Sequence, residues 1–224
     1  MNYQIAGSTM QTLIVNLDAH DQVYTEKGTL LMMSSAVKLT TSGGGGGLGG
    51  MLARGLSGNS MFLNYYEATD QHQRVMFATR VPGHIVPFAM QEQGSIIVQQ
   101  HALLCAEKGT EYKTAFTLKL GRFLGGNGLI FNQITGHGMA FVSVDGEVVE
   151  QELRAGETIL VHPGHIAAYH GSITYEVQLM KGIANMLFGG DGLYLVRLTG
   201  PGHVWMHGFN IHNLQEVLGI QNGR

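Results

Sequence analysis

One short turn occurs in three copies along the chain, and this repetition constrains the fold more than any other feature. The copies are residues 57–63 (SGNSMFL), 125–131 (GGNGLIF) and 189–195 (GGDGLYL). Gly, Asn and Asp tolerate a positive φ, and the apolar residues that follow them favour strands. Each copy therefore predicts a tight turn that enters a β-strand.

A second marker has the same period. Gly28, Gly94 and Gly156 each precede a run of strand-forming residues, and both sets of markers are spaced by about 65 residues. No long amphipathic helical pattern accompanies them. The sequence predicts an all-β fold: three tandem β-sandwich or double-stranded β-helix-like modules with a pseudo-threefold repeat. Their approximate bounds are 1–80, 81–146 and 147–224, packed as a single compact unit.

The composition suggests that much of the surface is covered. Charged residues make up 13% of the chain, against roughly 25% in typical proteins. Self-association is the simplest way to cover so uncharged a surface, and low solubility is the alternative explanation. The net charge of −3 disfavours nucleic acid as a partner. Cys105 is the only cysteine, which excludes an intrachain disulfide, and with an N-terminus unlike a signal peptide it predicts a cytoplasmic protein.

Five consecutive glycines, Gly43–Gly47, form the most unusual stretch. A phosphate-binding P-loop ends in Gly-Lys-Ser/Thr before a helix, whereas Gly50 here leads into Met51 and Leu52. The run therefore favours a flexible loop or the close approach of two backbones.

Histidines are the best candidates for an enzyme site, and the alternative function is a metal-dependent small-molecule enzyme that uses His162, His165, His203 or His207. His203 and His207 lie on one predicted strand, where residues four apart are separated by about 13 Å, too far for one metal without a bend. His162 and His165 are closer together. Surface and turn positions remain the preferred interpretation, and no cofactor is predicted.

Binding of single-stranded RNA is the second alternative. The densest basic stretch holds Lys108, Lys113, Lys119 and Arg122, interleaved with Tyr112, Phe116 and Phe123. Basic and aromatic side chains in alternation can contact phosphates and stack on bases. Glu107 and Glu111 dilute the positive charge of this stretch. A further acidic group, Glu147, Glu150, Glu152 and Glu157, flanks a predicted hairpin and favours a solvated face, and Cys105 is predicted to be a buried structural thiol.

Three segments together resemble a known family. They are residues 153–161, with Gly156-Glu157 and Val161; residues 189–195; and Gly200-Pro201-Gly202 through Trp205. The chain resembles, over nearly its whole length, the bacterial and mitochondrial family named for Altered Inheritance of Mitochondria protein 24. The motifs are turn glycines, which specify a backbone rather than a reaction.

The resemblance implies a fold and an assembly. The family is similar to a triplicated tryptophan RNA-binding attenuation protein fold, so three chains of three modules would close a ring of nine. It defines no catalytic residues, and mitochondrial members are linked to inner-membrane organisation. We therefore predict a non-enzymatic, oligomeric scaffold or binding protein. Its expected partners are further copies of itself as a homotrimer, another protein or a membrane surface.

Overall fold

A computed structural model describes residues 1–41, 62–118, 129–180 and 193–211, with positions 214 and 218. The predicted all-β class is confirmed: within these residues the helical segments with defined bounds are short, namely α1 (Met90–Gln93) and a 3-10 turn (Pro163–His165), and positions 211 and 214 are also helical. Among them no helix is long and apolar enough to span a membrane. The turn residues of the three copies (57–60, 125–128 and 189–192) and the glycine run 43–47 lie outside the described residues.

In the part of the chain that the structure describes, the strands form three successive groups of six after an N-terminal strand, β1 (Asn2–Ala6). We call the groups modules. The first module is β2 (Thr12–Leu17), β3 (Gln22–Thr25), β4 (Leu30–Met33), β5 (Val37–Thr41), β6 (Asn64–Ala68) and β7 (Gln73–Ala78). The second is β8 (Gly83–Ala89), β9 (Ser95–Gln99), β10 (Leu103–Glu107), β11 (Thr110–Leu118), β12 (Leu129–Gly136) and β13 (Met139–Asp145). The third is β14 (Val148–Leu153), β15 (Thr158–Val161), β16 (Ile166–His170), β17 (Thr174–Met180), β18 (Leu193–Thr199) and β19 (Gly202–His207).

The same antiparallel pairings occur in each module. The fourth strand pairs with the fifth and the fifth with the second, as in β5–β6–β3, β11–β12–β9 and β17–β18–β15. The third strand pairs with the sixth and the sixth with the first, as in β4–β7–β2, β10–β13–β8 and β16–β19–β14. The strand that follows each copy of the glycine turn is thus always the fifth of its module.

Neighbouring modules share sheets. The second strand of one module pairs with the third strand of the next, as β3 does with β10 and β9 with β16. These junctions produce four sheets with the strand orders β1-β2-β7-β4, β5-β6-β3-β10-β13-β8, β11-β12-β9-β16-β19-β14 and β15-β18-β17. The two middle sheets each contain three strands from each of two modules.

Three apolar cores lie between successive sheets. The first core combines Leu13, Val15 and Phe77 of the first sheet with Tyr66 and Phe141 of the second. The other two cores are built in the same way between the second and third sheets and between the third and fourth. The predicted strand face of Leu13, Val15 and Leu17 is confirmed, since all three are buried. The two outer cores therefore take side chains from two consecutive modules, and the middle core takes them from all three.

The third strand of every module carries a bulge at the same place. Pairing with the sixth strand shifts register between Leu30 and Met32 in β4, between Leu103 and Cys105 in β10, and between Ile166 and Ala168 in β16. A bulge inserts one extra residue and turns the strand locally. Leu31, Leu104 and Ala167 are therefore equivalent residues of the three modules.

The marker formed by Gly28, Gly94 and Gly156 does not identify equivalent strands in the three modules, and that part of the sequence prediction was wrong. Gly28 precedes β4, the third strand of its module, whereas Gly94 and Gly156 precede second strands. The first module enters its second strand through the turn Asp18–Asp21, in which Asp21 N donates to Asp18 O at 2.9 Å. His20 supplies the positive φ of 74° there, so no glycine marks the position.

Candidate functional site

A cleft lies beside the junction of β3 and β10, and a buried carboxylate forms its inner side. Glu26 directly follows β3, and its side chain is 8% exposed. Its Oε1 accepts a hydrogen bond from the Tyr112 hydroxyl at 2.6 Å, and its Oε2 accepts one from His101 Nδ1 at 2.8 Å. Asn132 Nδ2 donates to the Tyr112 hydroxyl oxygen at 2.8 Å. These four residues, the Glu26 network, connect two modules.

The Tyr112 hydroxyl of the Glu26 network stays protonated. Burial raises the pKa of Tyr112 well above its ordinary value, and the negative charge and hydrogen bond of Glu26 raise it further. A protonated hydroxyl is the form that donates to a carboxylate. Both oxygens of Glu26 are therefore satisfied by donors, as a buried charge requires.

His101 is held in an uncommon backbone conformation. Its φ of 72° lies in the left-handed region, which few residues other than glycine adopt. The flanking turn is fixed on both sides, because Ala102 N donates to Gln99 O at 3.0 Å and Gln100 N donates to Ile130 O at 2.8 Å. Strained residues of this kind concentrate at ligand clamps and active sites.

The cleft has two lobes that share Arg80, Gln100 and His101 as a common wall. The lobe beside Glu26 has a volume of about 570 Å³ and also contacts Lys27 and Phe62. The second lobe has a volume of about 380 Å³ and reaches Asp145 and His207. Both volumes fall in the range of small-molecule sites.

Two basic side chains line the first lobe. The Lys27 ammonium lies 4.9 Å from the centre of the Phe62 ring, a cation–π arrangement that holds it in place. The Arg80 guanidinium donates through Nη2 to the main-chain oxygen of Lys27. The lobe thus presents positive charge around the already satisfied Glu26.

The second lobe ends at a buried histidine and a half-buried carboxyl group. Asp145 N donates to His207 Nδ1 at 2.8 Å, so that nitrogen is unprotonated. Burial, followed by the nearby His165, lowers the pKa of His207 to about 4. Burial raises the pKa of Asp145 to about 6, although the charge of Arg80 opposes the rise. His207 is therefore neutral at physiological pH, and Asp145 carries a poorly solvated charge.

Replacing Asp145 by asparagine should stabilise the fold at neutral pH. Because the pKa is higher in the folded state, about 6 against 3.8, the stability that this group contributes is present below about pH 4 and is lost as the pH rises through 6. The full shift corresponds to about 3 kcal/mol, and partial exposure reduces the expected gain of Asp145→Asn to about 1 kcal/mol near pH 7.5. Urea unfolding at constant protein concentration measures it.

The expected gain disappears near pH 4, because the Asp145 carboxyl group of the folded protein is then protonated and is uncharged, as the asparagine side chain is. Asp70→Asn is the matched control, since Asp70 is exposed and its Oδ1 accepts from Gln71 N at 2.7 Å, a bond that asparagine can also accept. A gain for Asp145→Asn of the same size at both pH values would contradict the burial of this charge.

Three of the four predicted metal ligands lie together, and the fourth is elsewhere. His165 Nδ1 donates to the main-chain oxygen of His207 at 2.7 Å, and the rings of His162 and His165 are 5.8 Å apart. His203 instead bonds Glu150 at 3.0 Å and stacks on Trp205. Among the described residues no three His, Cys, Asp or Glu side chains are arranged to hold a metal ion. The predicted set of four is therefore not one site.

The described aromatic rings of the basic stretch pack against other groups of the protein. Tyr112 is buried in the Glu26 network, and Phe116 is stacked between Phe131 and Tyr175 at ring distances of 5.0 and 4.1 Å. Lys113 bonds Glu111 at 2.5 Å. Lys119, Arg122 and Phe123 lie outside the described residues.

The cleft residues were not identified from the sequence, because they are far apart along the chain. Glu26 and His101 are separated by 75 residues. Both follow a second strand of a module, so the aligned repeat was the signal that could have brought them together. Cys105 is buried, as predicted, and burial raises the pKa of its thiol well above the ordinary value. The predicted acidic face is also confirmed at Glu150 and Glu152, which are exposed on β14.

Comparison with solved structures gives a protein of the same fold. The crystal structure of a Streptococcus pyogenes protein superimposes with a TM-score of 0.81 at 21% sequence identity, covering 97% of this chain and 98% of that one. At this identity the likeness establishes the fold alone.

The sequence comparisons agree on a family. A fungal protein from Talaromyces marneffei, described as altered inheritance of mitochondria protein 24, mitochondrial, is 25% identical over 171 residues. The match covers 75% of this chain and 40% of the fungal protein, so the chain spans less than half the length of that relative. The family described as "Mitochondrial biogenesis AIM24" matches residues 3–208. The chain belongs to this AIM24 family.

Proposed function

We propose that the protein is a non-enzymatic scaffold whose chains join head to tail into a closed ring. The join is formed by β4 of one chain and β15 of the next. One observation carries the proposal: among the described strands β4 and β15 lie at sheet edges, while the equivalent strands of the other modules are paired at the module junctions.

A comparison of the exposure of the third strands supports a position for another chain beside β4. All four residues of β4, Leu30–Met33, are exposed, whereas β10 and β16 are almost entirely buried. At the equivalent bulge position Leu31 is 58% exposed, Leu104 is 1% exposed and Ala167 is 0% exposed. An exposed apolar edge strand is an aggregation hazard that folded proteins cover.

The second strands show the same contrast at the other end of the chain. Tyr24 of β3 and Ile97 of β9 are buried, because each faces the core shared with the following module. The equivalent Leu160 of β15 is 46% exposed. A following module, supplied by another chain, would cover it.

The internal junctions define the register of the proposed join. Tyr24 is opposite Ala106 in the first junction, and Ile97 is opposite Tyr169 in the second. The same offset from the bulge places Met33 of one chain opposite Leu160 of the next. Met32 then faces Val161, and Ser34 faces Ile159.

Two different edges that pair head to tail make a heterologous interface, which forms a ring when the rotation closes. Three chains would give the nine modules that the family resemblance implies. A ring of this kind leaves neither junction edge unpaired. It is also consistent with a chain that has only 13% charged residues.

The decisive experiment is a disulfide between the opposed positions. Directly opposed residues of antiparallel strands have Cα atoms about 4.5–5.5 Å apart, a spacing that suits a disulfide. The double variant Met33→Cys and Leu160→Cys should form reducible covalent trimers of about three times the 24.2 kDa chain mass on oxidation. Cys105 is buried and does not compete.

The control for register combines Met33→Cys with Thr158→Cys, which lies two residues along β15. It should form few cross-links. Equal cross-linking of both pairs, or none with the opposed pair, would contradict the join, and native mass spectrometry of the unmodified protein counts the subunits.

A further inference from the structure

We propose that the cleft beside the β3–β10 junction binds a small organic oxyanion, a carboxylate or a phosphate ester, through Lys27, Arg80 and His101. All three side chains line the lobe of about 570 Å³. The site lies within one chain, so the inference does not depend on the ring.

The charges of the cleft leave two cations available for a ligand. Among the described residues neither Lys27 nor Arg80 forms an ion pair with a carboxylate, and Glu26 already accepts one hydrogen bond on each oxygen. The Arg80 charge acts on Asp145 without a direct ion pair between them. Arginine and lysine side chains in this state are suited to carboxylate and phosphate groups.

The third group, His101, is oriented by the Glu26 network. Its Nδ1 donates to Glu26, which leaves Nε2 without a partner among the described residues. A protonated imidazole donates from both nitrogens, so the ring can bond Glu26 and a ligand oxygen together. The left-handed backbone of His101 maintains this arrangement at an energetic cost, which is understandable at a binding site.

Apolar side chains complete the first lobe. Phe62 and Ile130 supply walls for the carbon skeleton of the ligand.

The test is isothermal titration calorimetry of the full chain with two probes, citrate and glycerol phosphate, in a buffer without other oxyanions. We expect saturable binding of at least one probe with a Kd of about 1 mM or lower. Binding of citrate alone assigns a carboxylate ligand, and binding of glycerol phosphate alone assigns a phosphate ester. Absence of saturable binding of both probes overturns the proposal.

Variants connect the binding to the cleft. Lys27→Gln and His101→Asn should each weaken binding about tenfold or more, as expected for loss of a charge-assisted hydrogen bond. Asparagine tolerates the left-handed backbone of His101. The controls are Lys38→Gln, on an exposed position of β5, and His72→Asn, where the histidine is exposed and also has a positive φ.

The control variants should bind the probes as the unmodified protein does. Circular dichroism establishes that each variant is folded, and Lys27→Gln tests the site even if His101→Asn does not fold. Unchanged affinity of a folded Lys27→Gln variant overturns the proposal, because the heat then comes from another site.

Discussion

The Leu31→Asp variant is expected to be a folded monomer. Leu31 is 58% exposed in the single chain, so an aspartate there remains hydrated and the fold tolerates it. In the proposed ring the same position is covered, as the equivalent Leu104 and Ala167 are. An unpaired charge buried in an interface costs about 3–5 kcal/mol, which weakens each join by roughly a hundredfold to several thousandfold.

Light scattering coupled to size exclusion measures the assembly of this variant. Val149→Asp is the matched control: Val149 is an apolar residue, 48% exposed, on β14, and the first strand of a module never takes part in a module junction. It should assemble as the unmodified protein does. A Leu31→Asp protein that still migrates with the mass of the assembly would remove β4 from the interface.

The second large effect is a loss of folding stability at acidic pH that we expect from His207. His207 has a pKa of about 4 in the folded protein against 6.5 in the unfolded chain, so the unfolded chain binds more protons between these values. Stability therefore falls as the pH decreases from about 6.5 to 4, by about 3 kcal/mol in full and about 2 kcal/mol by pH 5. Asp145 acts in the opposite direction, because its folded pKa is raised.

The His207→Asn variant should lose this acid dependence. The asparagine carbonyl can replace Nδ1 as the acceptor for Asp145 N, and it does not titrate. Urea unfolding of both proteins at several pH values and one concentration gives the difference in slope, which isolates His207 from other titrating groups. His72→Asn, at an exposed histidine, should keep the slope of the unmodified protein. Parallel slopes for His207→Asn and the unmodified protein would show that His207 is not buried as a neutral ring.

Turn chemistry made the β class and the strands after each glycine turn predictable. Local signals succeed where a short segment determines its own conformation, as in the alternation of Leu13, Val15 and Leu17. They fail where the backbone is set by tertiary contacts. His20 adopts a positive φ without being glycine, and the marker at Gly28 was consequently assigned to the wrong strand.

The cleft was beyond the reach of spacing arguments for a different reason. The Glu26 network joins residues from four strands or turns, and its bonds span up to 86 residues. The sequence suggested that Tyr112 and Phe116 were available for stacking, because the neighbouring lysines are typical of a solvent-exposed surface. Long-range packing decides their burial, and a single sequence does not display it.

Because neighbouring modules share a sheet, each module completes the core of the next one. Removal of one module would expose the core of its neighbour, so we expect the three modules to unfold together rather than as separate domains. The terminal edge strands, however, are the same two kinds of strand whatever the number of modules. Gene duplication or loss of one module could therefore change the number of modules in a chain without altering how its two ends pair with another copy.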